Sequence, residues 1–387
     1  MSVPRWTWIL ASSTGSALAD LTTVASGCQI RYQRNAPVEA QFSLSHHDEA
    51  AAYLLEYLST GNAPPTLRCY RQPLPDPESP PEIHKPMELA FNGYLAPFHE
   101  NLEEAATITA VFRSPFARLL GESSARGRFT SEFVYYATQD AGQIAKGLID
   151  TTNSVDGPSG LTTAGGTFQT TKNRNRSYQY ANVGEEIVNL TQILDGFDFY
   201  ETFVEGDTTL AIFNVAASLG SDESSRVKFQ YGEDTLANVR AVNRSTEPPV
   251  NRVRVLGGNG LTSVKELSAS IAQSGVWYMQ ANATDVIDQP VLDDKALALL
   301  RPGPVRTVEF TPEYGLESCP RPFDDFWLGD YVSFFGRRGA FFENINVRVN
   351  GFSIVIDDNG YEAAEIQDPT TPEGEASLRA TMTVEVT

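Results

Sequence analysis

Alternation of apolar and polar residues recurs along most of the chain, and this period-two pattern constrains the fold more than any other feature. The pattern occupies residues 6–44, 65–72, 87–114, 197–256 and 305–387. Alternate side chains of a β-strand point to opposite faces of a sheet, so each run predicts strands with one buried face. Turn residues separate the runs, as is typical of antiparallel strands. The chain is therefore expected to be mainly β.

Helical spacing of apolar residues interrupts the strand patterns. Apolar residues three and four positions apart share one face of a helix, and that face packs against a sheet. Two of the predicted helices are marked by their first residues: one follows a capping box of Ser263 and Glu266, and one has Pro290 in its first turn. The apolar stripes of the other predicted helices are Tyr53, Leu54, Tyr57 and Leu58, then Ile144, Leu148 and Ile149, then Ile187, Leu190 and Leu194.

The order of these patterns divides the chain into interleaved units. A chain of 387 residues is too long for one ordinary hydrophobic core. We predict a first β unit at residues 1–120 and a second β unit divided between residues 197–260 and 305–387. An α/β unit, divided between residues 121–196 and 261–304, contains most of the helices. The predicted fold class is mainly β with α+β insertions.

The charge of the chain limits its partners. With 49 acidic and 29 basic residues, the formal net charge is −20, which opposes the phosphate neutralisation on which tight nucleic-acid binding depends. The N-terminal residues lack the apolar core of an export signal, and no segment reaches the roughly 18 apolar residues that a membrane-spanning helix needs. We expect a soluble chain without stable membrane insertion.

The three cysteines, Cys28, Cys69 and Cys319, lie far apart in the sequence. An odd number of cysteines at wide spacing argues against a disulfide framework and against a zinc knuckle. We interpret all three as buried free thiols.

Ionisable residues that could support catalysis or bind a metal do not form a recognisable constellation. Adjacent carboxylates point to opposite faces of a strand and diverge on a helix. His46 and His47, in the first turn of a predicted helix, do not converge on one ion as residues four apart would. We predict no catalytic, metal-binding or cofactor-binding residues, and no enzymatic activity. The adjacent acidic pairs are Glu103/Glu104, Glu185/Glu186, Asp293/Asp294, Asp324/Asp325 and Asp357/Asp358, and the other histidines are His84 and His99.

The stretch VRVLGGNGLTS at residues 253–263 partly matches a dinucleotide-binding motif. Ser263 occupies the third glycine position, and neither an acidic residue on a strand about 20 positions later nor a Walker lysine follows. We interpret the stretch as a tight connection from a strand to a helix. No Gly-x-Ser-x-Gly elbow supports nucleophilic catalysis.

The stretch PFDDFWLGDYVSFFG at residues 322–336 allows two interpretations. Its carboxylates and aromatic rings could form an acidic site beside a sugar-binding platform. Its Gly-Asp step could instead belong to a turn that starts a strand. The choice between them decides whether this part of the chain forms a functional site or only a structural turn.

Four C-terminal stretches, taken in order, resemble the C-terminal half of minor tail proteins of long-tailed actinobacterial phages, which belong to the baseplate hub family. The stretches are SASIAQSGVWYMQANATDVIDQPVLDDKALALL, PVRTVEFTPEYG, RPFDDFWLGDYVSFF and VNGFSIVIDDNGYEAAEI. In this family a Ser-Ile-x-x-x-Gly helix precedes a Leu- and Ala-rich helix and a Gly-Asp turn that opens a strand. The matching positions are Ser270-Ile271 with Gly275, Ala296–Leu300, and Gly329-Asp330.

The N-terminal half resembles the same family. GCQIRYQRNAPVEAQFSLS at residues 27–45 and FNGYLAPFHE at residues 91–100 are similar to the first tube-like barrel of hub proteins. YANVGEEIVNLTQILDGFDFYE at residues 180–201 is similar to a helix that leads into a Gly-Phe-Asp strand. The resemblance spans nearly the whole chain and depends on the order of the motifs. The proline-rich loop between Pro73 and Pro86 departs from the family pattern.

The resemblance implies a structural virion protein at the distal end of a phage tail. It implies two tail-tube-like β-barrel domains, one from each β unit, and a discontinuous helix-containing layer. Three subunits would form a trimeric ring that continues the tail tube and provides a channel for genome ejection. The implied partners are a distal tail protein, a tape measure protein and other tail-tip or fibre proteins. We expect acidic residues to line the channel, so that DNA passes through without specific binding.

The resemblance favours the turn interpretation of residues 322–336. It predicts that the acidic pair lies in a turn and that the adjacent aromatic pair packs against a neighbouring element. The Gly-Asp step then forms the corner before the strand, and its aspartate binds turn amides. The residues concerned are Asp324 and Asp325, Phe326 and Trp327, and Gly329 and Asp330.

Two other classes of function remain open. A tail-tip adhesin that binds carbohydrate would need clustered, exposed aromatic residues, for which Trp6, Trp8 and Trp327 are the candidates. A tail-associated cell-wall hydrolase would need convergent carboxylates or a metal site. Both alternatives require side chains that reach solvent together, which a structure can test.

Overall fold

The structure of the chain is a computed structural model. It describes residues 5–60, 64–73, 86–96, 99–101, 107–121, 127–130, 133–170, 172–192, 196–206, 208–232, 237–283, 286–313, 319–356 and 362–367.

The first third of the chain is mostly β, as its alternating pattern predicts. Its elements are β1 (Arg5–Ala11), β2 (Ala17–Asp20), β3 (Ser26–Gln33), β4 (Glu39–Ser45), α1 (Glu49–Thr60), β5 (Thr66–Gln72), β6 (Glu88–Leu95), β7 (His99–Asn101) and β8 (Thr107–Arg113).

The middle of the chain combines helices with short strands. Its elements are α2 (Phe116–Leu120), β9 (Val134–Asp140), α3 (Ala141–Asp156), β10 (Leu161–Thr162), β11 (Asn173–Tyr178), α4 (Val183–Thr191), β12 (Asp198–Phe203) and β13 (Ala211–Ala216).

The rest of the chain returns to strands, with two helices between them. Its elements are β14 (Lys228–Gly232), β15 (Val239–Glu247), β16 (Arg252–Gly257), β17 (Thr262–Glu266), α5 (Ser268–Ser274), β18 (Tyr278–Ala283), α6 (Gln289–Ala298), β19 (Val305–Pro312), β20 (Tyr331–Arg338), β21 (Phe341–Arg348), β22 (Gly351–Ile356) and β23 (Glu362–Gln367).

A large sheet joins the N-terminal and C-terminal strands. Within the described residues it contains 12 strands in the order β15-β19-β23-β22-β3-β4-β8-β6-β5-β1-β2, with β7 paired to β8. β22 pairs antiparallel with β3, and this register places Ile354 opposite Ile30. Both isoleucines are fully buried. The strands of the two predicted β units therefore continue into one another through the β3–β22 pair.

Buried apolar side chains form three clusters in the described part of the chain. The largest contains residues of both chain ends, including Trp8, Phe42 and Phe352. A second cluster contains residues between Phe116 and Val215, and so combines α3 and α4 with β12 and β13. The third and smallest lies between Val253 and Leu300, where α6 packs on β16 and β17. This architecture confirms the predicted mainly β fold with helix-containing insertions.

The apolar stripes predicted for the middle helices are confirmed. α3 and α4 each turn their stripe toward the second cluster, as amphipathic helices do when they cover a sheet. Asp140 caps α3 by accepting a hydrogen bond from the Gly142 amide, and Asn182 caps α4 by accepting one from the Glu185 amide. Buried members of the stripes are Ile144, Leu148 and Ile149 on α3 and Ile187 and Leu190 on α4, while Leu194 lies outside the described residues.

The start of α1 differs from the prediction. His46 and His47 lie in the turn before α1 rather than in its first helical turn. Asp48 is the residue that satisfies the helix start, because its Oδ1 accepts a hydrogen bond from the Ala50 amide at 2.8 Å. Leu54 is fully buried, whereas Tyr53 is 38% exposed. The histidine pair is thus outside the helix altogether.

The predicted helix start at Ser263 is wrong, because residues 262–266 form strand β17. The turn before it has left-handed backbone angles at Asn259 (φ 52°) and Gly260 (φ 77°), which reverse the chain so that β17 pairs antiparallel with β16. The stretch interpreted as a strand-to-helix connection is therefore a hairpin, and α5 begins later. Pro290 does lie in the first turn of α6, as predicted.

The three cysteines are buried thiols that form no disulfide bond, as predicted. Burial raises the pKa of Cys69 well above its ordinary value and that of Cys319 to about 12. Thiols held neutral in this way are poor nucleophiles. No helix in the described ranges is both long enough and apolar enough to span a membrane.

Candidate functional site

Residues 322–330 form the turn before β20, which confirms the turn interpretation. Asp330 accepts hydrogen bonds at Oδ2 from the Trp327 amide and at Oδ1 from the Ser221 amide, both at 2.7 Å. Gly329 has φ of 88°, a left-handed angle that glycine adopts without a steric penalty. The Gly-Asp step thus fixes the corner and ties it to the segment around residue 221.

The aromatic residues of this turn are packed into the protein, as predicted. The centroid of the Trp327 ring lies 5.2 Å from that of Tyr32 and 5.4 Å from that of Phe352. Phe326 is 3% exposed, and its ring contacts Phe229 at a centroid distance of 5.8 Å. These rings cover the large sheet where β3 and β22 pair.

The tryptophans considered for a sugar platform do not form one. Trp6 and Trp8 are 5% and 2% exposed, respectively. Trp327 is half-buried in the aromatic contacts of the turn. A stacking platform needs ring faces that reach solvent, so these three residues cannot supply it together.

A buried ion-pair network lies beside the turn. Arg71 on β5 donates from Nε to Glu362 Oε2 at 3.0 Å and from Nη2 to Asp324 Oδ2 at 2.6 Å. Glu362 on β23 also accepts a hydrogen bond from the indole Nε1 of Trp6 at 3.0 Å. Burial lowers the pKa of Arg71, but the hydrogen bonds and charges of Asp324 and Glu362 outweigh burial and raise it. Arg71 therefore ties β5 to β23 through Glu362 and to the turn through Asp324.

A second buried guanidinium links the three-stranded sheet β14-β20-β21 to the second cluster. Arg348 at the end of β21 donates from Nη2 to Asp198 Oδ2 at 2.9 Å and to the Leu219 carbonyl at 2.7 Å. Its Nε donates to the Gly329 carbonyl at 3.0 Å. The Arg348 side chain is 1% exposed. Asp198 begins β12, so Arg348 joins the turn and β21 to the strand that contributes Phe199 to the second cluster.

Glu201 has the most chemically suggestive environment, because desolvation raises its pKa to about 7. Hydrogen bonds from the Ser114 hydroxyl and the Phe116 amide lower the pKa, but less than burial raises it. A carboxyl group with such a pKa can act as an acid or base near neutral pH. Here, however, each oxygen accepts a hydrogen bond from the protein itself, which is the arrangement of a structural contact.

The cleft beside Glu201 has a volume of about 440 Å³ and is also lined by Arg71, Asp324 and Trp327. Two of its acidic residues pair with arginines: Asp324 pairs with Arg71, and Asp325 pairs with Arg226 at 3.3 Å. Catalysis by a carboxylate pair requires both groups to face one substrate atom. The carboxylates of Asp324 and Asp325 instead face different arginines.

The remaining acidic pairs and histidines lie at separate places. Asp293 on α6 accepts a hydrogen bond from Ser263 Oγ at 2.7 Å and pairs with Lys265 at 3.1 Å. Among the residues that the structure describes, no three His, Cys, Asp or Glu side chains are placed to hold a metal ion. Glu185/Glu186 lie in the first turn of α4 and His99 on β7, whereas Glu103/Glu104, Asp357/Asp358 and His84 lie outside the described residues.

The region around α4, α6 and β18 exposes large apolar side chains on two surfaces. We call the first the β18 edge; it consists of Val276, Trp277, Tyr278 and Met279, which are between 38% and 52% exposed. β18 is an outer strand of the small sheet β17-β16-β18. An outer strand with exposed apolar side chains is a surface for pairing with another strand.

The second surface, which we call the layer groove, lies between α4 with β11 on one side and α6 on the other. Its exposed apolar residues are Phe129, Phe133, Tyr180 and Ile287, which are between 38% and 65% exposed. The groove has a volume of about 560 Å³. Isolated exposed apolar residues are normal, but contiguous groups indicate interaction surfaces. No pattern in the sequence predicts either surface, and the uncharged run VWYM at residues 276–279 is its only local sign.

Solved structures of two tail proteins share this fold. The tail protein from Neisseria meningitidis MC58 superposes with a TM-score of 0.53 at 9% identity, covering 98% of this chain and 99% of that one. The 43 kDa tail protein of prophage MuSo2 from Shewanella oneidensis gives a TM-score of 0.50 at 12% identity, covering 96% of this chain and 98% of that one. Neither a family model nor a curated protein sequence matches the chain. The chain therefore has the fold of these two tail proteins along nearly its whole length.

Proposed function

We propose that the chain is a structural subunit of a phage tail, located at the distal tail tip as a hub protein. The observation that supports this is the fold shared with two tail proteins, one of them from a prophage, over at least 96% of this chain. The contacts of the turn at residues 322–330 agree with a structural role. Its carboxylates and rings hold strands together instead of facing a substrate.

We further propose that three subunits form a ring that continues the tail tube. The tube wall would come from barrels built of residues 1–120 and of residues 197–260 with 305–387, and residues 121–196 and 261–304 would form the surrounding layer. Support comes from the large sheet, whose end strands β2 and β15 have one partner strand each in the described residues. Sheet edges of this kind are stabilised by pairing between subunits.

The ring would provide a channel for DNA ejection, with acidic residues of the −20 chain repelling the phosphates. A basic lumen in an assembled ring would contradict this part of the proposal. The expected neighbours are a distal tail protein, a tape measure protein and tail-tip or fibre proteins. The role is structural and needs no catalytic residue, cofactor or metal ion.

Electron micrographs of virions labelled with an antibody to this chain test the proposed location. We expect label at the distal end of the tail and none on the capsid, with preimmune serum as the control. Label confined to the capsid, or detection of the chain only in infected cells and never in purified virions, would reject a tail role. The tryptophans named as candidates for the adhesin alternative do not support it, because Trp6 and Trp8 are buried.

A further inference from the structure

The β18 edge has the properties of a strand that is completed by another chain. Residues 274–283, SGVWYMQANA, contain no Asp, Glu, Lys or Arg, although 20% of the chain is charged. β18 pairs in parallel with β16, and no strand of the described residues covers its other edge. Natural proteins usually protect such edges with charges or prolines. The absence of both protections at this edge indicates an interface.

The layer groove also offers a strand edge with which another strand could pair. β11 contributes Asn175–Tyr178 to the wall of the groove, and within the described residues it pairs with β9 alone. Tyr178 is 4% exposed, and its hydroxyl has no hydrogen-bond partner among the described residues. A buried hydroxyl without a partner destabilises the fold, because it has lost its hydrogen bonds to water. An incoming strand could supply both an acceptor for this hydroxyl and a partner for the β11 edge.

A closed ring of identical subunits needs two different surfaces that fit each other, because each subunit contacts its two neighbours in different ways. The chain has one projecting apolar strand and one apolar groove. We infer that the β18 edge of one copy docks in the layer groove of the next copy and pairs with its β11. This inference rests on the proposed function, since it specifies the subunit contact within the proposed ring.

Charge and length support a second copy as the occupant of the groove. The net charge of −20 makes two copies repel each other over most of their surfaces, and this repulsion is smallest where the approaching segment is uncharged. The rim of the groove has both signs, with Arg176 and Lys295 near Glu185 and Asp288. An uncharged strand such as β18 is repelled by neither sign of charge on this rim. β18 and β11 are each 6 residues long, so their edges can pair over their full lengths.

Full-length variants with charges in either surface test the inference. The edge variant is Trp277→Glu with Tyr278→Glu, and the groove variant is Phe133→Glu with Ile287→Glu. The control is Val155→Glu with Val24→Glu, which also replaces two exposed apolar residues, 67% and 41% exposed, outside both surfaces. Near-UV and far-UV circular dichroism would verify that each variant is folded.

Sedimentation velocity over a range of protein concentrations would measure association. We expect the native chain and the control to form trimers, and we expect each surface variant to associate at least tenfold more weakly. Equal association of native chain and surface variants would overturn the inference, as would a native chain that stays monomeric at every concentration. The virion-labelling experiment is independent of this result, so a failed contact and a failed tail role are distinguishable.

A mixing experiment separates this contact from pairing of two β18 edges with each other. The edge variant keeps an intact groove and the groove variant keeps an intact edge. Their mixture should therefore give a one-to-one dimer that cannot close into a ring, while each variant alone stays monomeric. Symmetric pairing of two β18 edges predicts the opposite, namely dimers of the groove variant alone and none that contain the edge variant. That outcome would overturn the inference.

Discussion

The large sheet and the small sheet β17-β16-β18 differ in how completely one chain buries them. In the large sheet, β3 and β22 lie between neighbouring strands, and their facing residues Ile30 and Ile354 are 0% exposed. In the small sheet, α6 packs on β16 and β17, while Tyr278 on β18 is 52% exposed. The centre of the large sheet is thus buried within one subunit, whereas the outer strand of the small sheet is exposed, as the subunit contact inferred above requires.

The polar contacts of the two regions differ in the same way. In the large sheet, Glu362 and Arg71 form an ion pair whose side chains are 0% and 3% exposed. In the small sheet, Arg252 and Glu266 pair across β16 and β17 with side chains 38% and 47% exposed. Removing one partner of a buried pair leaves an uncompensated charge in the interior. Removing one partner of an exposed pair leaves a charge that water can solvate. Loss of an ion pair should therefore lower the free energy of unfolding much more in the large sheet than in the small sheet.

The largest effect is expected for Arg71→Met in the large sheet. The substitution leaves the Glu362 carboxylate buried without its cation, which should lower the free energy of unfolding by about 3–5 kcal/mol. Urea unfolding followed by tryptophan fluorescence measures this change. The matched control is Arg113→Met, because Arg113 pairs with Glu39 at 2.9 Å but its side chain is 40% exposed. The control substitution should lower the free energy of unfolding by less than about 1 kcal/mol. Equal losses in the two variants would show that the buried ion pair stabilises the fold no more than the exposed one.

The next largest effect is expected for Leu292→Ala on α6. Leu292 is 0% exposed in the small cluster, and truncation of a buried leucine costs about 2–5 kcal/mol. Because that cluster has few members, we expect local opening, with hydrogen-exchange protection lost over residues 252–298 and retained in β3 and β22. Ile354→Ala in the large sheet is the control and should lower protection throughout that sheet. Loss of protection in both regions of the Leu292 variant would contradict their independence.

A pH effect is expected at Glu201, between the large sheet and the second cluster. Desolvation raises its pKa from 4.5 to about 7 in the folded chain. Between these values the folded state keeps a proton that the unfolded state has lost, so stability must fall as the pH rises through this window. The fall should approach ~3 kcal/mol, at ~1.4 kcal/mol for each unit of pKa difference. Unfolding at pH 5 and pH 8 measures it, and Glu201→Gln should remove most of the difference; an unchanged pH dependence in that variant would assign the effect elsewhere.

Much of the fold was predictable because its signals are local. The period-two pattern identified most strands, and apolar spacing identified the buried stripes of α3 and α4. The Ser263 and Glu266 pattern was misleading, because a serine followed by a glutamate three positions later also fits a strand. Pairing of β17 with β16 decided its structure, and such pairing depends on the turn before it and on the packing of α6.

The site was less predictable because its contacts join distant parts of the chain. Arg71 lies 291 positions from Glu362 and 253 from Asp324, and no local pattern marks such a pair. The raised pKa of Glu201 depends on desolvation by tertiary packing, which composition does not reveal. By contrast, the turn contacts of Asp330 were predictable, since an aspartate binds amides of its own turn.

The smallest effect is expected for Glu266→Gln on the exposed face of the small sheet. Its carboxylate pairs with Arg252 at 2.7 Å, but an exposed pair contributes about 0–1 kcal/mol because water and salt compete with it. Urea unfolding at low and high salt measures the change, with Arg71→Met as the contrasting variant. A loss of several kcal/mol would mean that this face is already part of a dry interior in the isolated chain. Such a result would remove the contrast between the two sheets, because the small sheet would then be buried within one subunit like the centre of the large sheet.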